Sequence, residues 1–166
     1  FGGVTWKANE GFYYSRYENP GGNQLFAVVN FNKVYFHKLN TPHTSDKLIF
    51  DGGVLNPKRR GGVYLTEDER FLILTTSVST TGNELYIQDL ADPKSQRVPV
   101  VINFDNNHSV IDNDGSRLII RTNLNAPNSR IVQVDAGKPG IENWIDIVAE
   151  TEVPVQSVST AGHKLF

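Results

Sequence analysis

The chain has 166 residues, 39% of them hydrophobic and 20% charged, which suits one domain with a sizeable core and excludes a disordered segment. A net charge of −2 gives no electrostatic basis for binding nucleic acid or an anionic membrane, and no apolar run approaches the ~18 residues of a membrane span. Cysteine is absent, so disulfides, thiol chemistry and thiolate metal sites are excluded, and the compartment stays open between cytoplasm and periplasm.

Methionine is absent too, including an initiator, so Phe1 is read as an internal residue of a longer protein. In chain order, the first unit has strands at Val4–Trp6, Phe12–Ser15, Lys33–His37 and Lys47–Phe50, with a turn at Asn9-Glu10-Gly11. It carries an extra dozen residues across Glu18–Asn30, a stretch containing Gly, Asn and Pro that reads as an insertion. The second unit is Val63–Leu65, the turn Glu67-Asp68-Glu69, then Phe71–Thr75, Glu84–Gln88 and Arg97–Ile102. The third is Ser109–Ile111, the turn Asn113-Asp114-Gly115, then Leu118–Thr122, Arg130–Val134 and Trp144–Val148. Asn, Asp and Gly tolerate the positive φ of a tight hairpin, which makes this turn the best specified of the set. A fourth unit begins at Val155–Ser159, turns at Ala161-Gly162 and reaches Leu165–Phe166.

The second strands start 59, 47 and 47 residues apart, and the third strands 51 and 46 apart. Four short strands repeating at such a period are the pattern of β-propeller blades. Helical solenoids are excluded because no window holds an i, i+3, i+4, i+7 apolar pattern for ten residues. A β-sandwich would not set matching hairpins at a near-constant step. The expectation is an all-β partial propeller of about three and a half four-stranded antiparallel blades, at 1–57, 58–103, 104–152 and, incomplete, 153–166. An open arc exposes blade faces and strand edges, which favours self-association of this segment or cover by neighbouring blades.

Catalytic chemistry is missing. There is no G-x-S-x-G elbow, and His37, His43, His108 and His163 lack metal-motif spacing, so they read as surface or hydrogen-bonding residues with no metal and no cofactor. Asp112-Asn113-Asp114-Gly115 resembles half a calcium loop, but Val110 and Arg121 stand where acids are required, so it reads as a turn. Asn107-His108-Ser109 satisfies a glycosylation triplet, a pattern common by chance. Lys58-Arg59-Arg60 is the one basic cluster, read first as a solvated loop and second as a contact for an acidic partner. Trp6, Tyr13, Tyr35, Tyr86 and Trp144 fall on strand positions and read as core or inter-blade packing.

Several stretches go beyond pattern. T-N-x-x-A-P-N-x-R-I-V-x-V-D at Thr122–Asp135 and W-x-D-I-V-A-E at Trp144–Glu150 resemble the propeller domain of prolyl oligopeptidases. So do G-F-Y-Y-S-R-Y at Gly11–Tyr17, K-V-Y-F-H-K-L-N-T at Lys33–Thr41, L-T-E-D-E-R-F-L-I-L at Leu65–Leu74 and N-E-L-Y-I-Q-D-L at Asn83–Leu90. The matches lie in register along essentially the whole chain. The resemblance implies a seven-bladed propeller capping an α/β-hydrolase domain with a Ser-Asp-His triad, in a serine endopeptidase that cuts short peptides after proline. The propeller would gate access to the hydrolase domain, and the triad would lie outside this sequence, leaving the segment inactive alone.

The family's substrate-reaching propeller residues map here to Phe1, five residues ahead of Trp6, to Arg60 before Gly61-Gly62, and to Thr80 in the loop after the second strand. Arg60 and Thr80 depart from the usual apolar types, which implies a more polar pocket for a proline-containing oligopeptide. The alternative function is a propeller-type protein or peptide interaction module without a peptidase domain. A peptidase of related specificity, dipeptidyl or acylaminoacyl, is a third reading.

Overall fold

Short runs of aromatic and β-branched residues, each closed by turn-forming residues, make this chain almost purely β. The computed structural model describes residues 3–17, 32–54, 56–161 and 164–166. The insertion expected at Glu18–Asn30 falls outside them. Strands β1 (Val4–Lys7), β2 (Gly11–Tyr17), β3 (Asn32–Lys38) and β4 (Lys47–Asp51) form one antiparallel meander in chain order. The second sheet is β5 (Arg60–Leu65), β6 (Phe71–Ser77), β7 (Glu84–Asp89) and β8 (Val98–Val101). The third is β9 (His108–Asp114), β10 (Arg117–Thr122), β11 (Arg130–Asp135) and β12 (Ile145–Val148), again in order. A two-stranded ribbon of β13 (Thr160–Ala161) and β14 (Lys164–Leu165) follows. Three four-stranded meanders and the start of a fourth make up a partial β-propeller.

The second sheet shows why its sequence looks different from its neighbours. β6 reads FLIL without alternation because both its faces are covered, and Phe71, Leu72, Ile73 and Leu74 are all buried. Phe71 and Ile73 join Leu85, Ile87, Val110, Leu118, Ile120, Val132 and Val134 in one cluster shared with the third sheet. Leu72 and Leu74 point the other way, toward the first sheet. Each fully buried side chain of this kind contributes about 1.5–3 kcal/mol. In β10 the pattern alternates, with Leu118, Ile120 and Thr122 buried and Ile119 and Arg121 half-buried.

First strands are stitched to one another by side chains. Thr5 Oγ1 donates to the Val63 carbonyl at 2.8 Å, and the Tyr64 hydroxyl accepts from Val110 N at 3.0 Å while bonding its carbonyl at 3.2 Å. An asparagine at or just ahead of the start of each third strand grips the segment that follows its sheet. Asn32 Oδ1 accepts from Gly61 N and Asn83 Oδ1 from His108 N, both at 2.8 Å. In the third blade Asn128 Nδ2 donates to the Thr151 and Glu152 carbonyls at 2.9 and 3.3 Å.

The hairpins fall where the turn residues place them. Arg117 pairs with Asp114, and Gly115 supplies the positive φ of 59° in the tight connection. Asp112 and Asn113 are spent on neighbours: Asp112 Oδ1 accepts from Glu67 N at 3.1 Å, and Asn113 Nδ2 donates to Asp68 Oδ2 at 2.9 Å.

Three expectations need correction. The fourth hairpin forms later than Val155–Ser159, with Thr160 opposite Leu165 and only Ser159 extending it, by mutual bonds with Phe166. Residues 155 and 156 are instead held singly, Val155 N by the Asn128 carbonyl at 2.9 Å and both their carbonyls by the Arg121 guanidinium, so no ladder forms there. Trp6 is 57% exposed, on the face of the first sheet turned away from the second, in ring contact with Phe12 at 5.1 Å. Trp144 does pack on the shared core, but from just ahead of β12 rather than on it, with its indole N–H on the Pro139 carbonyl at 3.0 Å.

Candidate cleft at the second and third blades

Between the ends of the second and third sheets lies a cleft of about 440 Å³, and Arg60 and Thr80 both line it. Arg60 opens β5, where its guanidinium reaches the Ser79 carbonyl at 3.3 Å in the loop after β6. Thr80 stands exposed in that same loop. The structure therefore brings together two of the three residues picked from sequence. Phe1 lies outside the described residues.

The loop's shape is set by polar clasps. Gly82 takes φ of 73° and donates its N–H to Asn107 Oδ1 at 2.8 Å. A Cβ added there would overlap the Phe104 carbonyl, so only glycine fits. Asn83, next in the chain, holds both the N–H and the carbonyl of His108. Hydroxyls and amides from Ser77, Ser79, Ser109 and Asn107 complete a lining that is polar rather than apolar. With the Arg60 charge at its rim, such a cleft suits a polar or acidic side chain.

His108 closes the inner end. It is 4% exposed, with Nδ1 on the Thr122 hydroxyl at 2.9 Å and its ring edge-on to Trp144 at 5.9 Å. Burial pushes its pKa down to about 4, so the ring is neutral at physiological pH. A histidine whose folded pKa lies below the free value binds fewer protons than it does unfolded. Its contribution to stability is full above ~6.5, and falls away as the pH drops toward 4 by up to about 3 kcal/mol. A His108→Asn variant should lose less stability between pH 7 and pH 4 in urea titrations than the parent. Parallel losses would rule His108 out as the cause.

In the basic cluster the solvated-loop reading holds for Lys58 and Arg60 and fails for Arg59. Lys58 and Arg60 are exposed, but Arg59 is 6% exposed and pairs inside the chain with Glu84, itself 7% exposed. Arg59 Nε also donates to Thr76 Oγ1 and Nη2 to the Tyr86 hydroxyl, each at 3.2 Å. Thr76 in turn donates to Glu84. Arg59 is thus neither solvated nor free for an outside partner.

A second polar group, on the first sheet, carries no catalytic arrangement. The Tyr14 hydroxyl donates to Asp46 Oδ2 at 2.6 Å and His37 Nδ1 bonds Asp46 Oδ1 at 2.8 Å. Burial, the largest single influence, would raise the Asp46 pKa, but these two bonds together with the electrostatic effect of His37 and His43 outweigh it and hold the carboxyl below its ordinary range. They fasten the turn at His43–Ser45 to β2 and β3. Among the described residues no cluster of three metal-ligating side chains occurs, and no helix is long and apolar enough to cross a membrane.

Sequence reasoning missed the asparagine clasps and the buried Arg59–Glu84 pair. The first left a signal: Asn32 and Asn83 stand at or just ahead of the start of the third strands, in FNKVYF and GNELYI.

Comparison with known proteins agrees with this architecture. The family model for the prolyl oligopeptidase N-terminal beta-propeller domain matches residues 1–166. The chain is 41% identical over its whole length to the prolyl endopeptidase of Elizabethkingia meningoseptica, of which it spans 23%. It is 32% identical to prolyl oligopeptidase A of Amanita bisporigera over 84% of its own length and 20% of that protein. A structure of prolyl oligopeptidase B from Galerina marginata, bound to a 35mer hydrolysis and macrocyclization substrate, superposes with a TM-score of 0.83 at 25% identity, covering 97% of this chain and 23% of that one. The chain spans about a quarter of the relatives it matches. It belongs to the prolyl oligopeptidase N-terminal β-propeller family.

Proposed function

We propose that this chain is the non-catalytic propeller segment of a longer serine endopeptidase that cleaves short peptides after proline. The propeller gates substrate access to an α/β-hydrolase domain. The observation that carries this reading is the match of all 166 residues to the propeller family, while the chain spans only 23% of a prolyl endopeptidase. In this reading blades occupy 1–57, 58–103 and 104–152, with 153–166 opening the next. The missing partners are the hydrolase domain and the remaining blades. Phe1, Arg60 and Thr80 contact the part of the oligopeptide upstream of its proline, and the polar lining around Arg60 and Thr80 supports a preference there for acidic side chains.

In the longer protein, Arg60→Met should lower kcat/KM for a reporter carrying Glu upstream of proline by about two- to fivefold, the worth of one rim charge pair. The matched reporter with Ala should be cleaved at an unchanged rate. An unchanged Glu-to-Ala ratio would remove Arg60 from the substrate path. Failure of the longer protein to cleave either reporter would overturn the peptidase reading itself.

A further inference from the structure

A second cleft, of about 410 Å³, opens between the outer strands of the first and second sheets and shares no lining residue with the Arg60 cleft. Its walls are Phe50 of β4, Val54 in the connection to β5 and Leu74 of β6, and its polar atoms come from Arg59, Tyr86 and Arg97 with Asp51 at the rim. Charges in this cleft do not cancel. Arg59 is neutralised by Glu84, and Asp51 by Lys33 at 3.2 Å. Arg97 forms no ion pair with any carboxylate among the described residues. One net positive charge therefore remains, on Arg97.

That guanidinium is also short of acceptors. Nη2 donates to the Ile49 carbonyl at 2.8 Å, while Nε is enclosed and has no partner. A guanidinium has five N–H donors in a planar fork; the enclosed Nε is out of a ligand's reach, and the Nη hydrogens not spent on Ile49 are the ones a ligand in the cleft would meet. Burial holds its pKa below the ordinary arginine value, opposed only by the Tyr86 and Tyr13 hydroxyls. A half-buried cation with one unpartnered donor and no counter-charge costs the fold free energy, part of which an incoming anion would return.

We propose that this inter-blade cleft binds a small organic monocarboxylate, its carboxylate on the Arg97 fork and its apolar body against Phe50, Val54 and Leu74. A monoanion fits better than a dianion, because the net charge is one and the Asp51 carboxylate stands at the rim. A compound with an apolar body fits better than an inorganic anion, because one wall offers hydrocarbon rather than donors. The residues lie on two blades, so occupancy would also brace the first blade against the second.

The test is titration of the full-length protein with phenylacetate, followed by calorimetry and by saturation-transfer NMR, with phenylacetamide and inorganic phosphate as comparisons. Saturable phenylacetate binding is expected, with phenylacetamide inert. Arg97→Gln should weaken phenylacetate binding about tenfold or more, the loss of a charge-assisted fork. Arg97→Lys keeps the charge without the fork and should weaken it by several-fold, which retains the test if the glutamine variant loses its near-ultraviolet circular dichroism. No saturable binding at millimolar concentrations would overturn the proposal. So would affinity unchanged in the Arg97 variants, or phosphate binding more tightly than phenylacetate.

Discussion

Replacing Glu84 with alanine is expected to destabilise the protein by about 3–5 kcal/mol, among the largest effects of any single change outside the apolar core. The reason is what the substitution leaves behind. Arg59 is 6% exposed, with Phe50 5.4 Å beneath its guanidinium and the Thr76 and Tyr86 hydroxyls as its remaining partners. Without Glu84 the guanidinium would be a largely buried charge balanced by two neutral hydroxyl oxygens. The double variant Arg59→Leu with Glu84→Leu should be far milder than the sum of the single changes, because removing both charges also removes both desolvation penalties. Urea unfolding of the four proteins of this cycle measures the coupling. A Glu84→Ala cost under about 1 kcal/mol would mean that the pair is solvated in solution.

Gly82→Ala is expected to cost about 2–5 kcal/mol, combining left-handed backbone strain with overlap that no side-chain rotation relieves. Gly82 sits at φ of 73°, and the atom its new Cβ would strike is the backbone carbonyl of Phe104. To make room, the loop carrying Thr80 must lift from the segment ahead of β9, which breaks the bond from Gly82 N to Asn107 Oδ1. The same change should therefore also open the Arg60 cleft, and calorimetric unfolding of the variant reads the stability loss. A variant as stable as the parent would show that this loop is not clamped as described.

How much was legible in the sequence depended on whether a residue's role was local. Asn113-Asp114-Gly115 named its hairpin because positive φ is a property of the turn itself, and Gly115 adopts it. Phe71–Thr75 was legible as a strand from its apolar run, but that both its faces are covered appears only in the structure. Arg60 and Thr80 came only from resemblance, since they are 20 residues apart and nothing local joins them. Arg59 and Glu84, 25 residues apart, meet across β5, β6 and β7, and two adjacent arginines gave no hint that one is buried and the other exposed. The fourth hairpin slipped downstream because the strand-like VQSVS run meets side-chain donors from Arg121 and the carbonyl of Asn128 before it meets another strand. Trp6 illustrates a different limit: aromatic residues on a strand predict a packed face, but which neighbour packs there is not written in the strand.

The most direct test of the account is hydrolysis of a Gly-Pro reporter by the purified 166-residue chain, assayed beside the longer protein after circular dichroism has shown the chain to be β-structured. Among the described residues the one deeply buried histidine, His108, is neutral and bonded to a threonine that is 1% exposed, beyond a substrate's reach. The expected result is no turnover by the chain and ready cleavage by the longer protein. Turnover by the chain alone, at a rate that follows its concentration and survives repurification, would contradict the assignment of this propeller as a non-catalytic gate.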